Sequence, residues 1–519
     1  MSQLPPLSNT GFLRWIWRQL TSMKTALVLL FLLALASVPG SIYPQRGVDP
    51  IKVRDYIANN PSWGPTLDRF GFFEVYSSPW FSAIYLLLFI SLIGCVVPRV
   101  GVHFRAMRSA PPAAPKLLDR LAGTRTFTTD KDPAEVLNVA ANALRQRKWR
   151  VVMGPQGAAS WVAAEKGYLR ETGNLVFHLA LLFVLVAIAI GGLFGWKGNV
   201  IVREGSSFSD TLTQYDAWGG GRYTDAQDLP PFSFTLDKFT VDFERGVAQR
   251  GAPRAFEAEM SYKTDPSAPS QRALVEVNEP LVIGGAKVFL VGHGYAPIVT
   301  VTDKFGVQIF NDAVPFLPQD GMFTSTGVVK IPDSTPQLGL QALFLPTAAL
   351  DEIRGPHSTF PGPDDPALFM SAWKGDLGLD SGTPQSVYRI VTDKMSKIGL
   401  GQLKIGESWK LPDGSGTVTF VGFKRWASFQ IASDPGKELA LVFVTLSILG
   451  LSLSLFIRRR RVWVKVATLD GVTVIQLAGI MRTSTFDDED IGALSEDLDG
   501  VEQALMAAEV IRGNLEEER

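Results

Sequence analysis

The sequence has one cysteine in 519 residues and only four histidines. A single thiol excludes an intrachain disulfide framework, a cysteine-rich zinc site and a C-x-x-C redox pair. Four histidines leave little material for a multi-histidine metal cage. Charge is also scarce: Asp, Glu, Lys and Arg make up 19% of the chain, below the roughly 25% of soluble proteins. The 50 basic and 51 acidic residues nearly cancel, so there is no electrostatic reason to expect nucleic acid as a partner. The motifs G-x-x-x-x-G-K-[ST], H-E-x-x-H and G-x-S-x-G are missing. No nucleophile, base or metal constellation is visible, so the chain alone is not expected to be an enzyme. There are no internal repeats.

Four uncharged apolar runs account for the low charge. They are Thr25 to Val38, reaching Tyr43 through Pro39-Gly40; Trp80 to Val97; Leu175 to Phe194; and Leu439 to Ile457. A bilayer core of about 30 Å needs roughly 20 helical residues, and a soluble core helix would carry a polar stripe that these runs lack. The runs predict spans at 25–43, 80–97, 175–194 and 439–457. The first is not read as a cleaved signal, because SVPGSIYPQ offers no clean A-x-A site. Before it, Trp15, Ile16 and Trp17 lie between Arg14 and Arg18. That suits a helix lying in the headgroup layer, and equally a basic flank with aromatic-belt residues.

Arg14, Arg18 and Lys24 precede the first run, Arg99, Arg105, Arg108 and Lys116 follow the second, Lys166 and Arg170 precede the third, and Arg458 to Arg461 follow the fourth. All four clusters fall on one side if both termini are cytoplasmic. The expected layout is a cytoplasmic N-terminus (1–24), an outer loop (44–79), a cytoplasmic segment (98–174), an extracytoplasmic region (195–438) and a cytoplasmic tail (458–519). The fold class is then a polytopic α-helical membrane protein of the cell membrane. It has four transmembrane helices, a large mainly-β extracytoplasmic domain and a small α+β cytoplasmic segment.

The β reading rests on alternation. Phe232, Phe234 and Leu236 share one phase and Phe239, Val241 and Phe243 the other, so a bulge or bend is expected at Asp237-Lys238. Further strands are expected at 273–277, 286–292, 297–302, 327–331, 386–391 and 416–423, packed as an antiparallel sandwich or barrel-like sheet. Residues 355–365 read as a loop and Gly219-Gly220-Gly221 as a turn. In the 98–174 segment, 110–115 reads as a linker. Asp132 followed by Pro133 reads as a helix start, and 150–153 and 160–163 read as short strands. Residues 500–511 suit a helix, and the acidic runs at 486–490 and 516–518 suggest a mobile end.

His178 lies inside the third apolar run. A polar ring in lipid is costly, so it faces protein, water or a ligand. It is a candidate ligand of haem iron, with a helix-bridging hydrogen bond as the plainer alternative. His293, in Val291-Gly-His-Gly-Tyr-Ala-Pro297 at the expected end of a strand, is the second candidate, with an exposed turn histidine as the alternative. His103, next to Arg99 and Arg105, reads as a basic residue flanking the membrane, and His357 as a loop residue. Cys95, in the second run, reads as a small apolar packer.

Several segments together resemble the ResB-like family of system II cytochrome c biogenesis proteins. They are Leu20-Thr-Ser-Met-Lys-Thr-Ala-Leu-Val-Leu-Leu30, Pro39-Gly-Ser-Ile-Tyr-Pro-Gln45, Phe72-Phe-Glu-Val-Tyr-Ser-Ser-Pro-Trp-Phe81, Cys95-Val-Val-Pro-Arg99 and Gly173-Asn-Leu-Val-Phe-His178. Gly195-Trp-Lys-Gly198, Glu204-Gly205, Val277-Asn-Glu-Pro-Leu281, Asp434-Pro-Gly436 and Arg458-Arg-Arg-Arg-Val-Trp-Val464 add to them. The match covers the four spans and both edges of the outer region, and it leaves about 300–415 and the acidic tail unplaced. The resemblance implies haem export and presentation to apocytochrome c, together with a CcsA/ResC-type membrane partner. A thioredoxin-like thiol reductant is a further implied partner. The family's membrane histidine maps onto His178, whereas His293 matches no family position. The partner's Trp-rich motif is absent here, so that partner is a separate chain. The competing expectation is a membrane-tethered scaffold or transporter subunit that never handles haem.

Overall fold

The structure is a computed structural model that describes residues 9–48, 50–121, 123–156, 159–379, 388–393, 395–469, 471–481 and 488–511. It divides into two compact units, 1–189 with 437–519 and 190–436. In chain order the helices are α1 (Asn9–Leu20), α2 (Met23–Ile42), α3 (Pro50–Asn59), α4 (Gly64–Arg69), α5 (Pro79–Arg108), α6 (Pro133–Gln146), α7 (Leu169–Phe194), α8 (Lys437–Phe456) and α9 (Asp488–Ala507).

Among the described residues α2, α5, α7 and α8 are long and apolar enough to cross a membrane. Two of them outrun the apolar segments that announce them. Helix α5 continues through Pro98 to Arg108. Pro98 removes one backbone hydrogen bond, and a membrane helix tolerates this when neighbours support the turn. Helix α7 begins at Leu169, six residues before its apolar run. Its start and α8 pack through small residues. A Cβ on Gly173 would lie 2.6 Å from the Gly450 carbonyl oxygen, and one on Gly450 would lie 2.7 Å from the Phe177 nitrogen. Higher up, Phe183 stacks on Phe443 at 4.9 Å. Close approach at small residues is how helices associate where no hydrophobic drive separates them from lipid. Helix α1 exposes Phe12, Leu13, Trp15, Ile16 and Trp17, as a helix lying in a headgroup layer would.

The rest of the first unit holds a five-stranded antiparallel sheet. Its spatial order is Arg125–Thr129, Val472–Met481, Arg460–Leu469, Ala159–Lys166, Arg150–Gln156. The strands expected at 150–153 and 160–163 are present in longer form. The hairpin from the tail was not anticipated: Val464 pairs with Val162 and Leu477 with Arg125. Helices α6 and α9 cover one face, burying Val136, Ala140, Leu144, Leu498, Val501 and Leu505 against Val162, Val462, Val464 and Leu477. The α6 start is as expected, with Asp132 accepting from the Ala134 nitrogen at 2.9 Å. Residues 110–118 are not a free linker. Ala114 and Leu118 are buried with Trp161 and Trp463 on the other face, and Trp463 Nε1 donates to the Pro112 carbonyl at 3.0 Å. The helix expected at 500–511 is present from Asp488 to Ala507 as α9 and supplies part of the core, so residues 488–490 of the acidic run begin a helix. Residues 486–487 and 516–518 lie outside the described residues.

The second unit is mainly β, and two strands of 18 residues form its spine. Ala286–Asp303 and Gly416–Ser433 pair antiparallel from Lys287↔Ala432 to Asp303↔Gly416. Two cores use this spine. Near Phe429 and Ile431 it packs against a four-stranded sheet carrying Phe208, Phe234, Leu236, Phe239 and Val275. Near Val418 and Phe420 it packs against a five-stranded sheet carrying Val329, Leu340, Phe344 and Met370. The second sheet fills the stretch that no sequence motif could place. Two layered packings sharing one strand pair therefore replace the single sandwich or barrel expected.

The bulge expected at Asp237-Lys238 is present, as a register shift between Leu236 and Lys238. The strands expected at 286–292 and 297–302 are one strand: a bulge at Val291 shifts the register between Leu290 and Gly292, and the Gly-His-Gly segment continues pairing. Gly355–Ser358 is a strand and not a loop, and Ala217–Gly220 is a strand where a turn was expected. Of the strand expected at 386–391, residues 386–387 lie outside the described residues, and 388–391 are not extended into a sheet.

Candidate functional site

Helices α2, α5 and α7 enclose a cavity of about 1320 Å³ in the first unit. Small-molecule pockets are typically about 300–1,000 Å³, so this one has room for a large flat ligand. Helical periodicity puts its α7 lining on one stripe: Glu171, Asn174, His178, Leu181 and Leu185, spaced by three or four residues. The α5 stripe is Leu88, Leu92, Cys95, Arg99, His103 and Ala106. Leu27, Leu30 and Leu33 of α2 give a third, apolar wall.

His178 is in this cavity. Its Nδ1 is 2.8 Å from the Asn174 carbonyl oxygen. A carbonyl only accepts, so Nδ1 carries the hydrogen and Nε2 keeps its lone pair. That is the tautomer a metal-binding imidazole needs, and the carbonyl holds the ring in place. The Phe177 ring meets it edge-on at 5.0 Å.

His103 lines the same cavity, which corrects its reading as a plain flanking residue. Its Nε2 lies 3.1 Å from Thr172 Oγ1 and its Nδ1 4.0 Å from Glu171. The sequence held a signal for this: His103 is one turn beyond Arg99 and two beyond Cys95 or Val96 on a helix that does not stop at Pro98. Cys95 also lines the cavity, and its thiol donates to the Thr21 carbonyl at 2.9 Å. It ties α5 to the α1–α2 junction.

At the polar end of the cavity lies an ion-pair network whose arginines the sequence reading placed in a basic flank. Arg459 donates to both Glu165 and Glu171. Arg461 reaches Glu165 at 3.0 Å, and Tyr168 donates to the same carboxylate. Glu165 is fully buried. Burial alone would raise its pKa, but the hydrogen bonds from Arg459 and Tyr168 and the charges of Arg459 and Arg461 hold it below the usual carboxylate range. Arg460 turns the other way and pairs with Asp497 of α9 at 2.5 Å.

His293 belongs to the second unit and lies mid-strand, not at a strand end. Phe323 stacks on it at 4.6 Å, with Phe256 at 5.2 Å, Phe239 at 5.3 Å and Phe243 at 6.2 Å. Gly294 makes room for Trp426, whose ring lies 2.4 Å from where a Cβ would sit. The small residue admits the protein's own indole. Burial, helped by Arg425, lowers the His293 pKa from 6.5 to about 4. The unfolded chain therefore takes up the proton first. Between pH 6.5 and 4 each unit of acidification costs this unit up to about 1.4 kcal/mol. Thermal unfolding at pH 7.5 and 5 should show a loss that His293→Phe largely removes; an equal pH dependence in both proteins would refute this.

Four span-length helices, a cavity lined by three of them and a large β-rich insertion between the third and fourth define a polytopic membrane protein. The sequence pattern of the ResB-like family matches residues 23–490, from the first residue of α2 into α9. The chain belongs to that family. It is similar to the protein named cytochrome c biogenesis protein CcsB of Synechococcus sp. (strain RCC307), with 26% identity over 456 residues, or 86% of this chain and 88% of the relative. The protein of the same name from Thermosynechococcus vestitus is 25% identical over 366 residues, 68% of this chain and 76% of the relative.

Proposed function

We propose that this protein is a haem-handling membrane component of cytochrome c biogenesis, and that His178 ligates the haem iron in the cavity. The observation that carries the reading is the union of an apolar cavity of about 1320 Å³ with an imidazole fixed in the ligand tautomer. The names of the relatives support the pathway. Haem is the cargo. Its macrocycle suits the leucine walls, and Nε2 of His178 supplies one axial bond. His293 has no part in this reading, since aromatic side chains already fill its surroundings.

The basic residues flanking the apolar runs support an orientation with both termini in the cytoplasm and the β-rich unit outside it. A separate CcsA/ResC-type membrane protein completes the haem path and supplies the opposite axial ligand. The β-rich unit docks apocytochrome c, and a thioredoxin-like protein keeps the acceptor thiols reduced. Bond formation belongs to that complex and not to this chain alone. Deleting the gene in its host should abolish covalently haem-stained c-type cytochromes and spare cytochromes that bind haem non-covalently, and a plasmid copy should restore them. Normal haem staining in the deletion strain would sink the proposal.

A further inference from the structure

The polar groups of the cavity are gathered at one end, around the first turns of α7 and the last of α5. There Arg99, His103, Arg170 and Glu171 meet, while the opposite stretch is lined by leucine and valine. An amphiphilic slot of this kind fits a ligand with an apolar body and charge on one edge. The sign of that charge can be argued. Glu171 is committed to Arg459, which also holds Glu165. Among the described residues the Arg99 side chain makes no hydrogen bond or ion pair, and Arg170, which has a further contact of its own, lines the same end. Arg99 therefore leaves this end cationic towards a ligand. Guanidinium forks match carboxylates in shape and bind them with charge-assisted hydrogen bonds.

Spacing supports the same ligand. His103 is held at Thr172, so the end of α5 lies beside the first turns of α7. From Thr172 to His178 is six residues, about 9 Å along the helix. A porphyrin whose carboxylates hang two methylenes beyond the ring edge spans such an interval from its central metal. Arg99 stands one turn from His103 on the side towards His178, and all three line the cavity.

We propose that Arg99 and Arg170 form a carboxylate subsite that grips the two propionates of the haem, with His103 positioning α5 against α7. The inference rests on the reading of the cavity as a haem site. It makes the cavity orient its cargo, with carboxylates at the polar end and the apolar edge of the ring towards the leucine-lined stretch. The competing role for Arg99 is to reach lipid headgroups with its long side chain.

The test uses the full chain in lipid nanodiscs and two metal-free probes, protoporphyrin IX and its dimethyl ester. The double substitution Arg99→Gln with Arg170→Gln should weaken the acid by at least about tenfold and leave the ester bound as in the wild type. Equal affinity of the acid for both proteins overturns the subsite. So does a parallel loss of acid and ester, because that reports damage to the cavity and not carboxylate recognition. Ferric haem separates the underlying reading. Its Soret band shifts in His178→Ala if His178 is the iron ligand. An unmoved band sinks that ligation, and the acid–ester contrast still judges the arginines.

Discussion

If His178 ligates haem iron as proposed, His178→Ala should remove most of the haem absorbance expected to copurify with the protein and its proposed membrane partner. The argument is geometric. Nδ1 is occupied by the Asn174 carbonyl, so Nε2 is the only ring nitrogen with a lone pair to give. No other imidazole lines the cavity except His103, which Thr172 and Glu171 engage. Loss of an outer-shell partner alone typically costs a metal site 10–100-fold, so loss of the ligand itself should lower haem retention by at least about tenfold. The alanine leaves the apolar walls intact, so the protein still folds and inserts. Adding imidazole to His178→Gly should bring the Soret band back, which a structural role for the ring would not produce. Undiminished absorbance in the alanine variant would end the assignment.

The second large effect is expected at Glu165. This carboxylate gathers Arg459, Arg461 and Tyr168 in one buried network at the foot of α7 and the strand after α8. Breaking a buried pair by removing one partner costs about 3–5 kcal/mol, mostly because the remaining charge is left unpaired. Glu165→Ala should therefore speed amide exchange in Ala159–Lys166 and Arg460–Leu469 by more than about a hundredfold. Hydrogen–deuterium exchange on the full chain measures this. Replacing Glu165 and Arg459 together with methionine should recover much of the protection, since no lone charge then remains buried. Wild-type exchange rates in Glu165→Ala would refute the assignment.

The network also has a pH window. The Glu165 pKa is depressed below its ordinary 4.5, so its contribution is complete above about pH 4.5 and fades as pH falls through the folded value. The Tyr168 pKa is raised above its ordinary 10.0 by burial first and by the Glu165 carboxylate next. Its contribution is complete below about pH 10 and fades at more alkaline pH. Between those limits the exchange difference between wild type and Glu165→Ala should stay constant.

The ion-pair network also shows what local sequence hides. Arg458-Arg-Arg-Arg461 after an apolar run has the look of a topogenic flank. Yet Arg459 and Arg461 answer to a glutamate almost 300 positions earlier, and Arg460 answers to α9. The strands that follow did carry a readable pattern. Val462, Val464 and Val466 alternate, and an Asp-Gly pair at 470–471 is a sequence that favours hairpin turns; Gly471 has φ +82°.

By itself the sequence determined the four spans, because length and the absence of charge are what a bilayer requires. It also determined the α6 cap, the bulge in 233–243 and the candidacy of His178, all of which depend on neighbours within a few residues. Only the tertiary structure decided the rest. It joined 125–166 to 460–511 in one sheet, merged two expected strands into a spine for two cores, and brought His103, Arg99 and Arg170 to the polar end of the His178 cavity. Those outcomes depend on which distant segments pair and which helix faces meet. Such choices are made by burial and by the matching of charges across the folded chain, and no window of adjacent residues contains them.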